Sequence, residues 1–85
     1  MKLPIIKQLV DFAQRKDEDY LHETMEVLED ITDVASLKDK ELDVIGELLS
    51  NIAGAIEVQE KIQSGQSQKQ ALNEFMQRVI GSIDN

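Results

Sequence analysis

Leu42, Ile45, Leu49, Ile52 and Ile56 step by 3, 4, 3 and 4 residues, and no feature of the chain restricts its fold more than this row. An α-helix turns once in about 3.6 residues, so it brings these positions onto one face. Val44, Leu48, Ala55, Val58 and Ile62 widen that face past half the circumference, which makes the helix central rather than peripheral. Ser36-Leu37-Lys38-Asp39 has the form of a helix start, and Ser64-Gly65 supplies a stop. A helix from roughly 40 to 64 is about 37 Å long. A compact domain of 85 residues has a diameter of about 30 Å. The helix is therefore too long for its own monomer, unless it bends at Gly46 or Gly54 or a second subunit covers the overhang.

Three further helices are legible. Pro4 fits a first helical turn, and Ile5, Ile6, Leu9, Phe12 and Ala13 share a face, which predicts a helix over roughly 4 to 15. Asp17 is a good N-cap for a second helix over roughly 18 to 33, with Leu21, Thr24, Met25, Leu28, Ile31 and Ala35 on one stripe. Ser67-Gln68-Lys69-Gln70 reads as a capping box opening a fourth helix, with Leu72, Phe75, Met76, Val79 and Ile83 inward. Strand signals are absent, and the connections are short. The expected fold is all-α: one helical domain over residues 1–85, either a small four-helix bundle or a pair of helical hairpins with a long third helix.

The core has to be thin. A domain this short buries only about 60–65% of the surface of its unfolded chain, and two Phe, one Tyr and no Trp leave the packing to aliphatic side chains. With no cysteine, disulfides, thiol catalysis and thiolate metal sites are excluded. Nothing resembles a secretory signal, so a cytoplasmic location is the default. The uncharged stretch Leu48–Ile56 is nine residues long, against the roughly 20 that a membrane-spanning helix needs. A net charge of −8 disfavours nucleic acid and anionic membrane surfaces as partners.

Two constellations stand out. Between Asp17 and Asp33 lie eight acids, the single histidine and no Lys or Arg. His22, Glu26, Glu29 and Asp33 step by 4, 3 and 4 on the side away from the apolar stripe, the residue types and spacing a divalent metal could use. A solvated acidic face accounts for them more simply, because helical di-metal proteins point carboxylates from several helices into the core. The second constellation is Gly46, Ser50 and Gly54, a small-residue row in the third helix. A glycine inside a helix costs about 1 kcal/mol relative to alanine, so two in one row ask for a reason: close approach by another backbone, from this chain or from a partner, or equally a tolerated or bent helix. No nucleophile, base and orienting group fall into a catalytic motif, and no phosphate-cradling loop is present, so neither enzymatic activity nor a cofactor is expected.

MKLPIIKQL at Met1–Leu9, SLKDKELDVIGELLSNIAGAIEV at Ser36–Val58 and FMQRVIGSID at Phe75–Asp84 resemble a family of short, all-helical bacterial proteins without an assigned function. The resemblance covers nearly the whole chain, but none of its segments is a mechanistic motif. It implies a self-contained helical domain, and it suggests an accessory role beside peroxiredoxin or thioredoxin-type proteins, in which a cysteine-free chain would not be the redox carrier. The reading as a whole is a non-enzymatic protein-interaction module and homo-oligomer, built on Gly46, Ser50 and Gly54 and open to another protein partner. A carboxylate and histidine metal protein centred on His22 is the alternative.

Overall fold

A computed structural model describes residues 2–84, with side chains described from 2 to 79. It contains four helices, α1 (Leu3–Arg15), α2 (Asp19–Ile31), α3 (Asp39–Gln63) and α4 (Gln68–Asp84), and no strand among the described residues. The inward placement of Ile83 lies outside the described side chains.

The ends of the helices follow from local chemistry. Pro4 occupies the first turn of α1, where its missing N–H costs nothing. Asp17 Oδ1 accepts the Asp19 N–H at 2.9 Å, and Ser67 Oγ accepts the Gln70 N–H at 3.1 Å, so each caps the helix that follows it. At the start of α3 it is Glu41, not Ser36, that supplies the cap: its Oε1 accepts the Lys38 N–H at 2.9 Å. α3 stops in a Schellman turn. Gln66 N–H donates to the Lys61 carbonyl at 3.2 Å and Gly65 N–H to that of Ile62 at 3.0 Å, with Gly65 at a φ of +113°.

α1, α2 and α4 all pack on α3, and α1 also touches α2. The core consists chiefly of Ile6, Val10 and Ala13 from α1, Leu21 from α2, Ile52, Ala55, Ile56 and Val58 from α3, and Ala71, Leu72 and Phe75 from α4. Phe12 meets Tyr20 edge to face, with centroids 5.6 Å apart. Arg78 holds Glu57 through two hydrogen bonds of 2.6 and 3.0 Å, tying α4 to α3 across the surface. α3 is unbroken at Gly46 and Gly54.

The burial of α3 is lopsided. All its buried residues lie between Asn51 and Gln59, while Leu42, Val44 and Leu48 are 37%, 60% and 41% exposed. The apolar stripe of α2 likewise fades toward its end: Thr24 and Ile31 are exposed, as is Ala35, which lies beyond the helix. Among the described residues no other element covers them. The result is a flat body of 43 × 35 × 17 Å with a radius of gyration of 13.9 Å, above the value of about 12 Å for a compact chain of this length.

Candidate interaction surface

Val44, Leu48, Asn51, Ala55, Val58 and Ile62 follow one another at intervals of 4, 3, 4, 3 and 4, the seam that a partnering helix would cover. From Asn51 onward α1 covers it. Lys2 N–H donates to Asn51 Oδ1 at 2.9 Å, so the start of α1 is pinned to the middle of α3. Ile6 lies against Gly54, further along the same direction. Before Asn51 the seam is exposed, with only Lys2 and Ile5 from the start of α1 beside it among the described residues. A groove of about 450 Å³ lies between Leu37, Lys40, Glu41, Val44 and Ile45. A second, of about 140 Å³, is lined by Lys2, Ile5, Val44, Glu47, Leu48 and Asn51. The two meet at Val44, so the bare end of α3 is one continuous, mostly apolar surface bordered by charges of both signs.

Asn51 is not singled out by the sequence pattern. It is buried, its amide Nδ2 has no hydrogen-bond partner, and Gln59 Oε1 two turns on is in the same state. The available signal was a carboxamide in the middle of an otherwise apolar seam.

The glycine row divides. Gly54 is buried at the junction of α1, α3 and α4, where a Cβ would lie 2.8 Å from Phe75 Cζ and 3.2 Å from Ile6 Cδ1. Its close approach is therefore satisfied within the chain, which corrects its assignment to an intersubunit contact. Gly46 and Ser50 are exposed, and a Cβ at Gly46 would meet nothing within 4 Å. Stepping by 100° per residue, they lie on the polar side of the helix, away from Val44 and Leu48.

The acidic row does not converge either. His22 Nε2 pairs at 2.9 Å with Glu18 Oε2, one turn before it, rather than with Glu26 one turn after. Glu26, Glu29 and Asp33 are exposed, and α2 ends at Ile31, so Asp33 falls outside the helical spacing that would align it. Among the described residues no group of three or more His, Asp and Glu side chains could hold a metal ion. The Glu18 hydrogen bond raises the pKa of His22 above its usual 6.5. Partial burial opposes that shift, and the charges of Glu18, Asp19 and Glu60 support it.

No helix among the described residues is long and apolar enough to cross a membrane. The chain belongs to a family of unknown function, DUF6952, whose model matches residues 1–84. No curated protein and no solved structure matches it.

Proposed function

We propose that this chain is a non-catalytic protein-interaction module that self-associates through the bare end of the α3 seam. The supporting observation is that one unbroken helix carries a continuous, mostly apolar seam, buried from Asn51 to Val58 and exposed at Val44 and Leu48. Contiguous exposed apolar surface of this kind marks interaction sites. A second copy is the simplest cover, because a two-fold axis through the bare end would set Val44 and Leu48 of one chain against the same residues of the other. The opposite charges of Lys40 and Glu41, both exposed at the rim, would face each other across such an axis. A non-catalytic role is consistent with the exposed His22, whose partner is a carboxylate, and with the absence of cysteine.

The absence of cysteine also permits a clean test. Leu48→Cys introduces a single thiol on the seam, and Ser50→Cys places one on the polar side of the same helix turn. Oxidation should link the Leu48→Cys chain into covalent dimers much faster than the Ser50→Cys chain. Equal rates, or faster linking through Ser50→Cys, would move the contact to the glycine edge or remove it.

A further inference from the structure

We propose that the cleft between α1 and α4 receives the exposed stripe of α2 from a second copy of this chain. This head-to-tail contact rests on the self-association reading but uses surfaces other than the α3 seam. The cleft has a volume of about 520 Å³. Leu3, Leu72 and Met76 form its floor, and Lys7 of α1 and Lys69 of α4 stand at its rim. The chain has 17 acidic side chains against 9 Lys and Arg, yet this cleft contains two lysines and no acid. α4 also has no acid in its first turn. Among the described residues neither lysine is engaged in an ion pair. Such a cleft selects an apolar ridge flanked by carboxylates.

α2 presents that ridge. Val27 and Ile31, 60% and 38% exposed, stand one turn apart on α2, the i and i+4 spacing by which a helix anchors in a groove, and Val34, 50% exposed, lies beyond the helix end. Glu23, Glu26 and Asp30 follow one edge of the stripe, and the segment from Asp17 to Asp33 contains no basic residue. Within one chain α2 makes no backbone contact with α4, so the α4 wall of the cleft would meet the α2 stripe only between copies. A contact between unlike surfaces propagates, giving rings or open chains rather than a closed pair.

Sedimentation velocity on full-length chains tests this. The wild type should form species larger than a dimer as concentration rises, and Lys7→Glu/Lys69→Glu should reduce them by about tenfold or more while dimers persist. Glu26→Lys/Asp30→Lys should have the same effect. Mixing the two variants should restore the larger species, because each then supplies a surface complementary to the other's altered one. That restoration separates specific pairing from a general change in net charge. A wild type that stops at dimers, unaltered growth of the Lys7→Glu/Lys69→Glu chain, or a failure to recover on mixing would overturn the cleft while leaving the α3 contact in place. A wild type that is monomeric throughout would overturn both.

Discussion

Gly54 lies under the ring of Phe75, so close that a methyl group on its Cα would sit 2.8 Å from Phe75 Cζ. That contact, with Ile6 on the other side, is where α1, α3 and α4 converge. Phe75 is 1% exposed. Alanine favours a helix over glycine by about 1 kcal/mol, but overpacking of a tight core costs about 1–3 kcal/mol. Gly54→Ala should therefore lower the stability. Gly46→Ala, with open space around it, should raise it by about 1 kcal/mol. Urea denaturation of both variants checks the pair, and a higher midpoint for Gly54→Ala would contradict the packing.

Gly65 carries the Schellman turn between α3 and α4 at a φ of +113°. Side chains with a Cβ are strained in this region. Gly65→Ala should destabilise the chain by about 1–2 kcal/mol, lowering the melting temperature by roughly 4–16 °C in a domain of this size. An unchanged melting temperature would show that the turn is not under conformational constraint.

His22 should titrate above 6.5, because Glu18 hydrogen-bonds the imidazolium. Its contribution to stability is fully present below the unfolded pKa of about 6.5 and is lost as pH rises through the higher folded value. Exposure of the pair keeps the effect small. An NMR titration should show the His22 pKa falling on Glu18→Gln and barely moving on Glu26→Gln. The reverse order would place the partner on the wrong side of the helix.

Much of the fold could be read from the residues. All four helices, the caps at Asp17 and Ser67 and the Gly65 stop depend on interactions within a few positions, so local patterns identify them. Burial depends on how far neighbouring helices reach, and periodicity does not encode that. Val44 and Leu48 have the same four-residue spacing as Ile52 and Ile56, yet they are exposed where Ile52 and Ile56 are buried. Gly54 was identified as a point of close approach, but not with its partners, because Phe75 and Ile6 come from helices distant in sequence. Val10 is absent from the apolar row read for α1, yet it is fully buried in a helix that packs on both α2 and α3. Asn51 took its role from the Lys2 N–H, 49 positions away.

Sedimentation equilibrium across the micromolar range, on the wild type and on Val44→Glu/Leu48→Glu, bears most directly on self-association through α3. Burying an exposed Val or Leu contributes about 1.5–3 kcal/mol when complete, and placing like charges across a two-fold axis is costly as well. The wild type should associate, and the variant should be monomeric at the same concentrations with its helical circular dichroism intact, since both positions are exposed. A monomeric wild type, or a variant that associates as well as the wild type, would contradict the account.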